Sequence, residues 1–177
     1  MPDFPSIGAF APGGGGVLST LTELMPMNTS LAGSIGWPTA NLAIFVPMRV
    51  RYPVTVYKLV VGAGTTATGN FDVGIYDRNG NRLVSSGATA KGASTEHILD
   101  VTDTYLAPGF YYLAMSADGT NNYAMIVPSG TSPVPLQKAR IYGTLEAATA
   151  YTLPATVTMV ARTGAFIPGI AAYLRPH

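Results

Sequence analysis

An all-β fold, an antiparallel two-sheet sandwich with a jelly-roll-like build and extended arms, is the class this sequence predicts. Three observations carry that expectation. Short runs rich in Val, Ile, Tyr and Thr recur at strand length between Gly, Pro and Asn punctuation. Residues 70–77 (NFDVGIYD) alternate Phe71, Val73 and Ile75 with Asp72, Gly74 and Tyr76, the period of two of a half-buried strand. They run into Asp77-Arg78-Asn79-Gly80-Asn81, where Asn-Gly supplies the positive φ that tight hairpins require.

Along the chain, residues 1–36 hold the Gly13-Gly14-Gly15-Gly16 run and several prolines without a sustained period. They are expected to form an extended N-terminal arm, because Gly-rich backbone keeps most of its freedom. Within it, 17–25 (VLSTLTELM) sets Leu18, Leu21 and Met25 on one helical face, enough for one or two turns that are marginal alone. The sandwich domain is expected over 37–165. Residues 41–48 (NLAIFVPM) form a strand that Pro47, lacking an N–H, restricts to an edge or a strand end. Residues 54–61 (VTVYKLVV) are apolar on both faces and read as a central strand. Residues 82–86 return from the Asn-Gly turn as the partner of 70–77, and 95–101 carries Ile98, Leu99 and Val101. Pro108-Gly109 marks a corner into 110–117 (FYYLAMSA). Strands at 123–127, 138–145 and the β-branched 155–161 (ATVTMVA) complete the series. The tail 166–177, with Pro168 and Pro176, is expected to be a second arm.

Composition narrows the function. At 177 residues the chain fits one domain with arms, and a chain of this size buries roughly 70% of its unfolded surface. With no cysteine it has no disulfide and no thiolate metal site, which fits a reducing compartment or a protein held by assembly. Charged residues make up 11%, against about 25% in an ordinary globular protein. The net charge of +1 gives no electrostatic footprint for nucleic acid. Sparse charge with 47% hydrophobic residues suits a free monomer poorly, so neighbours are expected to cover much of the surface. No apolar run reaches the roughly 20 residues of a membrane-spanning helix. MPDFPSIGAF has an acid and two prolines where a signal peptide has a basic start and an apolar run. Neither a membrane location nor ordinary export is expected.

The runs 56–61, 74–80 (GIYDRNG), 83–87 (LVSSG) and 106–114 (LAPGFYYLA) follow one another as apolar strand, Asn-Gly hairpin, small-residue strand and Pro-Gly-led aromatic strand. Over 54–117 this resembles a module of bacteriophage virion proteins, especially tail fibres and other small structural proteins. The family often has Trp in the aromatic strand, where this chain has Tyr112. The resemblance implies a jelly-roll-like sandwich serving as a capsid decoration, a fibre module or a neck or tail attachment piece. It implies homo-oligomers such as trimers, partners among capsid, neck or tail subunits, and a place in the virion after assembly in the host cytoplasm. It includes no motif that carries chemistry, and no cofactor is expected.

Candidate sites weigh against bland alternatives. His97 stands beside Glu96 and three residues from Asp100, which invites an acid–base reading. On a strand Glu96 and His97 point to opposite faces, so a triad fails and His97 reads as an exposed polar strand residue. No Gly-x-Ser-x-Gly elbow is present. The 77–81 segment resembles the start of a calcium loop, but Arg82 holds the glycine position and Ala88 that of the closing acid. Asp and Asn are also what a turn selects unaided. Asp100 and Asp103 read as isolated loop acids. No catalytic, cofactor or metal residue is therefore assigned. Tyr105, Tyr111, Tyr112, Tyr123 and Trp37 compose a candidate aromatic platform, with core packing as the default. In 110–117, Phe110 and Tyr112 face one way and Tyr111 and Leu113 the other. Phe4, Phe10, Trp37, Tyr111, Tyr112, Phe166 and Tyr173 are the interface candidates. The expected function is a non-enzymatic virion structural protein that binds neighbours through its arms and sandwich surface. The alternative is a carbohydrate- or host-receptor-binding module of a fibre. A depolymerase requires paired carboxylates on a rigid groove, and the nine acids offer no such pair.

Overall fold

A computed structural model describes residues 16–19, 31–64, 66–93, 96–126, 143–162, 164 and 166–176. In chain order its strands are β1 (Gly16–Ser19), β2 (Leu31–Gly36), β3 (Ala43–Val50), β4 (Val54–Gly62), β5 (Asn70–Tyr76) and β6 (Arg82–Ser85). There follow β7 (Thr89–Ala90), β8 (Glu96–Leu106), β9 (Gly109–Ala117), β10 (Asn122–Ile126), β11 (Leu145–Ala147), β12 (Val160–Ala161) and β13 (Ile170–Pro176). One sheet has the order β1-β13-β4-β8, and the larger has β12-β11-β3-β9-β5-β6 with β7 also on β5. β10 and β2 form a third, two-stranded sheet. Every pairing is antiparallel, so the chain is an all-β sandwich.

The Asn-Gly hairpin forms where the sequence places it. Gly80 takes φ +83°, and the Asp77 carboxylate accepts the N–H groups of Asn79 and Asn81 at 2.8 and 2.9 Å. Its second oxygen accepts the Asn81 side-chain amide at 2.8 Å. Slight burial acts to raise the Asp77 pKa, but the hydrogen bonds from Asn81, Asn79 and Gly80 outweigh it and hold the carboxyl below its ordinary value. The turn thus accounts for each of these polar residues.

β4 lies between β13 and β8, the central place its apolar text predicts. Val56, Leu59 and Val61 from β4 meet Val73, Ile75 and Leu113 of the larger sheet in the main core. Ala107-Pro108 carries the chain from one sheet to the other, between β8 and β9. β11 pairs only Ala43–Phe45 of β3, so Pro47 lies beyond it, where its missing N–H leaves no ladder bond unmade on that side among the described residues.

Several expectations are corrected. β5 is buried on both faces rather than one, because residues 147–159 cross the outer face of the larger sheet as a strap. Ala147, Ala150 and Leu153 pack there on Phe45, Tyr76 and Ala114. The strap is tied by backbone bonds from Arg82 to Ala155 at 2.8 Å and from Val157 to Gly80 at 2.9 Å. Residues 155–161 therefore run mostly as this strap, and only Val160–Ala161 enter a ladder. Of the strand expected at 138–145 only Leu145 is strand, as the first residue of β11; Gly143 and Thr144 precede it outside any strand, and 138–142 lie outside the described residues.

The segment read as a C-terminal tail supplies β13, inserted between β1 and β4. Its alternation explains why: Ile170, Ala172 and Leu174 enter the core while Ala171, Tyr173 and Arg175 point out. The segment read as an arm contributes β1 and β2. Residues 17–19 are strand and not helix, since pairing with β13 satisfies backbone groups that a one-turn helix leaves open. Residues 1–15 and 20–30 lie outside the described residues. β8 is also longer than expected and places Asp100 and Asp103 on a strand instead of in loops.

Candidate functional site

The outer face of the four-stranded sheet is built by register. Val60 pairs with both Ala171 and Ile98, Lys58 with Tyr173 and Asp100, and Thr55 with Arg175 and Tyr105. Bulges in β4 and β8 near Tyr57 turn that ring outward as well. Its centroid lies 6.2 Å from that of Tyr173, and the Arg175 guanidinium sits 5.5 Å from it. Lys58 meets Asp100 at 3.2 Å, and Arg175 pairs with Asp103. These pairs neutralise much of the charge on the face. Between and beside them Ile98 is 49% exposed and Tyr105 51% exposed. The result is a nearly neutral surface on which Val60 is buried while Ile98 and Tyr105, both on the edge strand β8, stay about half exposed.

A second surface lies at one end of the larger sheet. Arg49 pairs with Phe110 across β3 and β9, on the side the strap covers further along. The strap stops short of them, so Phe110 is 55% exposed, and the turn after β3 leaves Tyr52 76% exposed. The Arg49 guanidinium lies 5.5 Å from the Phe110 ring centroid. With Arg51 and Pro108 these residues line an open groove of about 540 Å³ that has no carboxylate among its described lining residues.

The interface candidates from the sequence are dispersed. Trp37 is buried in the main core, donates its indole N–H to the Leu42 carbonyl at 3.0 Å and stands edge-on to Phe166 and Tyr123. Phe166 is buried with it. Both are core in this chain because three aromatic edges close the gap between the two larger sheets and β10. Tyr111 is half-buried with its hydroxyl on the Ala107 carbonyl at 2.9 Å, and Tyr112 packs on the strap cluster. The opposed facing of Phe110/Tyr112 and Tyr111/Leu113 holds. Tyr173 lies half-buried on the open face described above, and Phe4 and Phe10 lie outside the described residues. Sequence reasoning missed Tyr52, Arg49 and Phe110. The Arg49-Val50-Arg51-Tyr52-Pro53 turn was the available signal.

His97 is corrected from an exposed residue to a half-buried one. It pairs with Val61, and its ring lies 5.3 Å from that of Phe71. Its Nε2, like the Tyr123 hydroxyl, is buried without a hydrogen-bond partner among the described residues. Burial pushes the Tyr123 phenol up. Lys91, also buried, gives its ammonium to the Gly64 carbonyl at 3.1 Å and to that of Thr66, and desolvation lowers its pKa. Arg162 bonds the Phe166 carbonyl and pairs with Glu146. Each buried cation thus has fixed partners that hold it in place. No group of three or more His, Asp or Glu gathers in metal-binding range among the described residues.

No family model, curated protein or solved structure matches this chain.

Proposed function

We propose that this chain is a non-enzymatic structural protein of a phage virion, a decoration, neck or tail attachment piece that works by packing against neighbours. The open face of the four-stranded sheet carries the reading. Ile98 and Tyr105 stand uncovered on a charge-balanced surface, in a chain with only 11% charged residues. Burying such a face releases about 25 cal/mol for each Å² of apolar area. A homo-oligomer is the simplest assembly, because symmetry brings the same patch against itself. The resemblance over 54–117 supplies the virion setting. Sedimentation velocity across a dilution series tests the reading. It predicts a concentration-dependent oligomer, and a lone monomer boundary throughout would contradict it.

A further inference from the structure

The groove at the end of the larger sheet lies on the opposite side of the sandwich from the assembly face, and its chemistry differs. We infer that it binds a carboxylated sugar, a uronate residue of an acidic polysaccharide. Arg49 lines it, with Arg51 beside it, and none of the described residues that line it is an acid. Five other cations have fixed polar partners: Lys58, Arg162 and Arg175 face acids, and Lys91 and Arg82 face carbonyls. Arg49 instead lies over the ring of Phe110, 5.5 Å from its centroid, a contact that occupies none of its N–H donors with an acid or a carbonyl. The planar N–H fork of a guanidinium matches a carboxylate with two parallel hydrogen bonds.

The rest of the groove selects the body that bears the acid. Tyr52 and Phe110 present two exposed rings beside the guanidinium. Aromatic faces accept the C–H face of a pyranose, and the Tyr52 hydroxyl adds a polar tip. The opening of about 540 Å³ suits a few sugar rings. An extended acidic peptide finds less here. Arg49 and Val50 pair with Phe110 and Gly109, so the backbone between these strands is already committed to the ladder, and recognition falls to side chains. The inference does not rest on the virion reading, and oligomeric state has no part in its test.

Isothermal titration of the full chain with tri-galacturonate tests it, with maltotriose and tri-glutamate as controls. Saturable binding of tri-galacturonate that weakens with salt is expected, with the two controls at least about tenfold weaker, the factor of one lost charge-assisted contact. Arg49→Gln and Phe110→Ala each weaken binding by about tenfold or more, and Arg49→Lys falls between. Both side chains are exposed, so the Trp37 emission of each variant stays as in the parent. Absence of saturable binding, or binding unchanged by both substitutions, overturns the proposal. Equal binding of tri-glutamate or of maltotriose also overturns it, since the groove then reads the acid or the sugar alone.

Discussion

The Asp72 carboxylate accepts the backbone N–H of Leu153 at 3.0 Å, joining residues 81 apart in sequence and locking the strap to the outer face of β5. Asp72 is fully buried. Its other oxygen accepts the Ser86 hydroxyl at 3.3 Å, and one residue along the strap Tyr76 donates to the Pro154 carbonyl at 2.5 Å. Arg82 bonds the Leu153 carbonyl from the neighbouring strand. The strap is therefore a part of the fold fixed by polar latches around an apolar contact.

Removing the central latch should cost stability. Asp72→Ala leaves the Leu153 N–H buried without an acceptor, and such a group costs about 1–3 kcal/mol. Urea denaturation followed by Trp37 emission measures it. Asp72→Asn keeps an acceptor and should lose less.

The same residue should give stability a pH slope. Burial raises the Asp72 pKa above its ordinary value, against the hydrogen bonds from Leu153 and Ser86 and the charge of Arg82. A raised folded value means that its contribution is complete below the unfolded pKa and is lost as pH rises through the folded one. Asp77 has the opposite sign: its contribution is present above the unfolded pKa and lost as pH falls through its lowered folded value. Stability curves of Asp72→Asn should therefore lack the decline on the alkaline side of the carboxylate range, and those of Asp77→Asn the loss on its acid side.

Two glycines should separate φ strain from collision. Gly80 and Gly87 both have positive φ, +83° and +70°. A Cβ at Gly80 would overlap the Val157 carbonyl oxygen of the strap, whereas one at Gly87 meets nothing within 4 Å. Gly87→Ala should cost about 1 kcal/mol, and Gly80→Ala roughly 3 kcal/mol or more. Thermal unfolding of the two variants compares them directly.

Ion pairs should rank by burial. Arg162, with its side chain 4% exposed, pairs with Glu146, while Arg175 and Asp103 are each more than half exposed. Glu146→Gln strands a buried guanidinium and should cost about 3 kcal/mol. Asp103→Asn should cost about 1 kcal/mol or less. Denaturation midpoints distinguish them, and added salt should narrow only the second difference.

These relationships show which parts of the molecule were legible in the sequence. The Asn79-Gly80 turn, the Pro108-Gly109 corner and the central strand β4 follow from local chemistry, namely positive φ, a fixed proline ring and a β-branched run. The burial of Asp72 and Tyr76 was hidden, because the segment that covers them lies far along the chain. For the same reason 155–161 has strand composition but crosses the sheet as a strap. His97 looked exposed from its neighbours, yet the register with Val61 turns it inward. Both open surfaces depend on where coverage stops. Arg49 and Phe110 are exposed because the strap ends before them, Tyr52 because it stands in the turn after β3, and Ile98 and Tyr105 stay about half exposed on the edge strand β8.

We propose that the open face of the four-stranded sheet holds the chain in an assembly. Light scattering on size-separated protein, for the parent and for Ile98→Glu, tests it most directly. A charge placed on an exposed strand position leaves the core untouched, so Trp37 emission should not change. An oligomer is expected for the parent and a monomer for Ile98→Glu. A parent that is monomeric at every concentration, or a variant with the parent's mass, would contradict it.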